Sequence, residues 1–129
     1  MSNKQYHLDR VARRRQAAVA SPTKENLRRL GIALNGLGQY ASQGERKYTE
    51  AIGFLEEACA IFVKLHDETN AAKAYFNLGL TYEIGLQEYD LAHRYVRKAR
   101  DLAATPRLAA YYERELDCIA VSRVKKHRE

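Results

Sequence analysis

Three observations predict an all-α fold, a short solenoid of about six helices packed as antiparallel pairs. Only two prolines and seven glycines interrupt 129 residues, so long runs rich in Ala, Leu, Arg, Glu and Lys pass without a turn signal. Apolar residues recur at helical spacing on either side of glycine-containing breaks. The chain also resembles itself 41 positions on: Leu37 meets Leu78, Gly38 Gly79, Gly44 Gly85, Tyr48 Tyr89, Ala51 Ala92 and Ala58 Ala99. The length suits one domain.

Helices are expected at about 4–19, 22–43, 47–66, 69–84, 87–103 and 106–126. They group into a basic N-terminal capping helix (1–21), two helix pairs (22–104) and a C-terminal capping helix with a basic tail (105–129). The first helix carries Leu8, Val11, Ala12, Ala18 and Val19, but Arg10 and Arg14 stand where the repeat register would put Ala51 and Leu55. Ser21-Pro22 and Thr105-Pro106 each place a capping hydroxyl before a proline, as at a helix start.

In the first pair Leu34, Leu37 and Ala41 form one face, Gly44 marks the break, and Tyr48, Ala51, Leu55 and Ala58 form the next. In the second, Tyr75, Leu78 and Tyr82 precede Gly85, which fits a C-terminal cap, and Tyr89, Ala92, Val96 and Ala99 follow. Gly38 and Gly79 fall inside helices, each at a cost of ~1 kcal/mol relative to alanine. That cost points to close helix packing against the small residues Ala51, Ala58, Ala92 and Ala99. The expected core is Leu37, Leu55, Ala58, Leu78, Tyr82, Ala92, Val96 and Ala99. In the last helix Leu116, Ile119 and Ala120 take the places of Tyr75, Leu78 and Gly79, so it reads as an unpaired first helix closing the stack.

Composition narrows the function. No apolar run reaches the roughly 18 residues that span a bilayer, and the N-terminus has no signal-peptide core, which leads us to expect a soluble, cytoplasmic protein without membrane contact. Cys59 and Cys118 have no metal-ligand or redox spacing and read as reduced thiols; His7, His66, His93 and His127 are scattered and read as solvated. No cofactor, metal site or catalytic residue is expected. A nucleophile beside a base and a glycine-rich phosphate turn with its lysine are both missing from the sequence, and Glu56-Glu57 and Asp67-Glu68 read as surface pairs.

The stretch Tyr75-x2-Leu78-Gly79-x2-Tyr82, followed by Tyr89, Ala92, Val96 and Ala99, resembles the tetratricopeptide signature, with Tyr75 for its Trp and Val96 for its Phe. The spacing exceeds the family's usual 34 residues mainly in the second helix, which is similar to the longer-helix variants of kinesin light chains and spindle-orientation adaptors. So is the junction from Cys59 to Asp67 leading to Ala74-Tyr75-Phe76-Asn77-Leu78-Gly79. The resemblance implies a non-enzymatic adaptor or scaffold whose concave face, lined by first helices, holds a peptide or helix of another protein; a small subunit of a larger assembly is a setting we expect for such a chain. Mapped here, that face comprises Asn35, Gln39 and Ser42, then Lys73, Phe76, Asn77, Leu80 and Glu83, then Arg114, Asp117 and Val121. Asn77 matches the asparagine that clamps a peptide backbone in such arrays; the first pair has Gly36 in its place.

Charge supports a second class of function. The net charge of +6 is concentrated at the ends, with eight Lys/Arg against two acids in residues 1–29. Arg10, Arg13, Arg14 and Arg15, with Arg123, Lys125, Lys126 and Arg128, form basic clusters suited to nucleic acid or a ribonucleoprotein. No aromatic is interleaved with either cluster to stack on bases, so protein binding is the favoured expectation.

Overall fold

The computed structural model describes residues 3–128, and these contain six α-helices and no strand. They are α1 (Asn3–Ala20), α2 (Lys24–Gln39), α3 (Tyr48–Lys64), α4 (Glu68–Leu80), α5 (Tyr89–Asp101) and α6 (Pro106–Arg128). Both α2 and α4 run on into a π turn, Tyr40–Gly44 and Thr81–Gly85. Among the described residues no helix is long and apolar enough to cross a membrane.

Each helix packs on the next, and α2 also touches α4, so the first helices of the two pairs lie side by side. One core cluster joins α1 to α4 through Val11, Leu34, Leu55, Phe62 and Leu78. A second joins α4, α5 and α6 through Ala72, Ala92, Val96, Tyr112 and Ile119. Of the expected core, all but Tyr82 are buried; Tyr82 is half-buried and stacks on Tyr95 with ring centroids 5.6 Å apart.

Gly38 and Gly79 are where the helices of a pair meet. A Cβ on Gly38 would stand 2.6 Å from Leu55 Cγ, and one on Gly79 would collide with Val96 Cγ2 and lie 3.2 Å from the Ala92 carbonyl oxygen. The breaks are built differently from the expectation. No glycine has positive φ; Arg46 (57°) and Gln87 (54°) take the left-handed position after the π turns, and Gly44 and Gly85 are not caps. Gly85 is needed for space, since a Cβ there would be 2.5 Å from Tyr48 Cδ1. Each break closes with a backbone bond around the left-handed residue, Lys47 N to Ala41 O at 2.8 Å and Glu88 N to Tyr82 O at 2.9 Å. α3 ends in a Schellman motif in which His66 (φ 55°) is left-handed and Asp67 N donates to Phe62 O.

The helix starts also differ in detail. Thr105 caps α6 as expected, accepting from Leu108 N at 3.1 Å. The cap of α2 is Thr23, which accepts from Asn26 N, while the Ser21 carbonyl accepts from Thr23 N and from the Asn26 side chain. Asp67, expected at the surface, caps α4 through Asn70 N and pairs with Arg28 at 2.9 Å. Burial pushes its carboxyl up, but hydrogen bonds from Asn70 and Arg28 outweigh this and hold it below the usual range.

Candidate functional site: the face of the first helices

The junction of α2 and α4 carries two polar links. Asn77 Nδ2 donates to Asn35 Oδ1 at 2.9 Å, with both residues half-buried. Further along, the Thr81 hydroxyl donates to the Asn77 carbonyl oxygen at 2.8 Å and lies 2.9 Å from the Ser42 hydroxyl, this second contact being fully buried. Ser42 therefore joins the two helices internally and does not line a groove. Asn35 supplies the partner that Gly36 lacks; the Gly36 face is instead covered by α1, with His7 Nδ1 and Arg10 Nη1 within 3.7 Å of where a Cβ would stand. His7 is accordingly half-buried and not a solvated histidine.

Around the amide pair, Gln39 and Lys73 are exposed and Leu80 is half-buried. Phe76 is half-buried against the rings of Tyr111 and Tyr112, at 5.3 and 5.1 Å, so α6 covers much of it. Arg114 is exposed and lies over the Tyr111 ring, and Asp117 and Val121 are exposed on the same helix. Glu83 ends the row beside Glu115. Burial, then a hydrogen bond shared with Glu115 and its charge, pushes the Glu83 pKa up to about 8; with both groups ionised its buried Oε1 would have no donor to accept from. Glu115 and Tyr111 were missed by the sequence reading. Glu115 aligns with a buried alanine, Ala74, and so carries no repeat signal, whereas the adjacent Tyr111-Tyr112 was visible as an aromatic pair without a role.

The basic clusters sit on the two end helices, α1 and α6, and do not merge. Arg15 forms a two-pronged pair with Glu57 at 2.6 and 3.2 Å, which takes Glu57 out of the purely solvated class. Arg13 donates to the Asp9 carbonyl oxygen at 3.4 Å, and Arg10 and Arg14 are half-buried. Arg123 pairs with Asp90 at 3.0 Å, Lys126 donates to the Gln87 carbonyl oxygen, and Lys125 and Arg128 are exposed. No aromatic is interleaved with either cluster in sequence, but the fold brings the Tyr89 ring under Lys126, and exposed Tyr6 lines the same shallow cavity as Arg13.

Of the cysteines, Cys118 is exposed and Cys59 is buried. Burial, with a smaller contribution from Glu56, pushes the Cys59 thiol up to about 12.

Stacked antiparallel helix pairs with a mixed polar and apolar face along the first helices define a helical-repeat protein. The chain belongs to the tetratricopeptide repeat family, whose sequence profile matches residues 29–105, more than half its length. Such repeats generally mediate protein–protein interactions and are typically non-catalytic. Comparisons with curated proteins and with solved structures found no match.

Proposed function

We propose that this chain is a non-catalytic adaptor that holds an extended segment or a helix of another protein along the concave face of α2, α4 and α6. The observation that carries this reading is the half-buried Asn35–Asn77 amide pair, with exposed Gln39 and Lys73 one turn away on the same helices and exposed Arg114 on α6. An amide both donates and accepts, so a backbone crossing the pair finds partners for its N–H and its carbonyl. Lys73 on α4 and Arg114 on α6 add positive charge to this face, while Leu80 and the uncovered edge of Phe76 accept an apolar side chain. Burial and the neighbouring Glu115 raise the pKa of the Glu83 carboxyl to about 8, which favours its protonated form at the end of the groove.

The same proposal includes the boundaries 1–21, 22–104 and 105–129, a cytoplasmic setting, and membership of the long-helix subtype. The subtype is supported by paired features 41 positions apart: the π turns from Tyr40 and Thr81, left-handed Arg46 and Gln87, and helix starts at Tyr48 and Tyr89. Nucleic-acid binding has weaker support, because Arg15, Arg123 and Lys126 are engaged within the chain and the two basic ends do not form one surface.

The test is affinity capture from native lysate with nuclease-treated samples in parallel, comparing the natural chain with Lys73→Glu and Arg114→Glu. A partner retained after nuclease treatment and lost from both variants supports the reading. Capture that nuclease abolishes, or that both variants leave unchanged, overturns it.

A further inference from the structure

Ser21-Pro22 and Thr105-Pro106 stand in the connections that lead into α2 and α6, and the fold uses their hydroxyls differently. Thr105 caps its helix, its hydroxyl oxygen accepting from Leu108 N at 3.1 Å. At the start of α2 the cap is Thr23, so the Ser21 hydroxyl has no structural task. The Ser21 backbone is engaged, its N–H donating to Ala17 O at 2.9 Å and its carbonyl accepting from Thr23 N and Asn26 Nδ2. The hydroxyl itself makes no hydrogen bond among the described residues.

The backbone around it explains the exposure. The Pro22 ring crowds a helical residue before it, so α1 stops at Ala20. Thr23 is extended, with φ −73° and ψ 159°, and every residue from Val19 to Glu25 is exposed. α2 then begins at Lys24, three positions past Ser21. Lys24 has no ion-pair partner among the described residues, because the neighbouring Glu25 is held by Arg28 and Arg29. The connection thus presents a free hydroxyl, a proline directly after it and a free ammonium three positions on. A kinase cleft that leaves the N–H of the following residue unpaired selects proline there, since proline has none, and acidic groups beside the cleft take a basic side chain at the third position. The second connection lacks two of these features: the Thr105 hydroxyl is taken, and its third position is Leu108.

We propose that Ser21 is a phosphorylation site for a proline-directed, ATP-dependent protein kinase, with Pro22 and Lys24 the residues that the kinase reads. The Ser21 Oγ attacks the γ-phosphorus of ATP, and the bond from that phosphorus to the β,γ-bridging oxygen breaks. ADP leaves, and the hydroxyl proton passes to the catalytic aspartate of the kinase. The phosphate brings a charge of about −1.5 to −2 at neutral pH to a segment, residues 1–29, that carries eight Lys/Arg against two acids. It falls ahead of α2 and on none of Asn35, Lys73, Asn77 or Arg114, so it changes the charge of the basic end and leaves the face of the first helices as it is.

The test incubates the full chain with a purified cyclin-dependent kinase, magnesium and ATP, follows phosphate incorporation, and maps the modified residue by mass spectrometry. A single phosphate on Ser21 is expected, with Thr105 unmodified. Ser21→Ala should abolish incorporation yet melt like the natural chain, because this hydroxyl caps nothing. Lys24→Ala should slow the initial rate by about tenfold. No incorporation, incorporation that survives Ser21→Ala, preference for Thr105, or a rate indifferent to Lys24→Ala would overturn the proposal. So would phosphorylation of a peptide spanning residues 16–28 with none of the full chain, because the fold would then hide the serine from the kinase.

Discussion

Asn77 and Asn35 are joined by a side-chain hydrogen bond of 2.9 Å that links the first helices of the two pairs, although the repeat register aligns Asn77 with Gly36. The residue proposed to recognise a partner is thus also a structural link. Alanine at either position should cost about 0.5 to 1.5 kcal/mol in stability, and the double substitution scarcely more than one alone. A double-mutant cycle from urea melts measures this; fully additive losses would show that the amides act independently.

Glycine substitutions separate close packing from open surface. Gly79→Leu should overpack the α4–α5 contact at Val96 and cost on the order of 1 to 3 kcal/mol. Gly53 is exposed inside α3 with nothing within 4 Å of a Cβ, so Gly53→Ala should stabilise by about 0.5 to 1 kcal/mol. Thermal melts of the two variants should move in opposite directions.

Glu83 makes stability depend on pH. Its folded pKa of about 8 lies above the ordinary 4.5, so the folded chain keeps a proton that the unfolded chain releases. That contribution is fully present below about 4.5 and is lost as pH rises through about 8. Melting temperatures of the natural chain should therefore fall across this window relative to Glu83→Gln. Parallel curves would show that Glu83 ionises normally beside Glu115.

Gln87 occupies a left-handed position that a Cβ disfavours. Gln87→Gly should stabilise by roughly 0.5 to 1 kcal/mol after the added chain entropy of glycine is offset. A chemical-denaturation midpoint shifted downwards would contradict the backbone account of the break.

The helical faces were legible because burial imposes a period: Leu34, Leu37, Leu55, Leu78 and Val96 are core residues by spacing and core residues in space. The breaks were less so. Glycine usually marks a left-handed cap, but here Gly85 makes room for the Tyr48 ring, a contact between residues far apart in sequence. The candidate site was legible as a set of positions and not as chemistry. Register placed Asn35, Lys73 and Asn77 on the first helices, but a repeat alignment contains no information on the Asn35–Asn77 bond, the covering of Phe76 by Tyr111 and Tyr112, or the meeting of Glu83 and Glu115, which depend on how neighbouring helices are offset.

Hydrogen exchange of the chain, free and saturated with its captured partner, tests the concave-face assignment most directly. Added protection is predicted in α2, α4 and α6 around Asn35, Lys73, Asn77 and Arg114, with α5 and the outer surface of α3 unchanged. Protection confined to the basic ends, around Arg13 to Arg15 or Lys125 to Arg128, would contradict it.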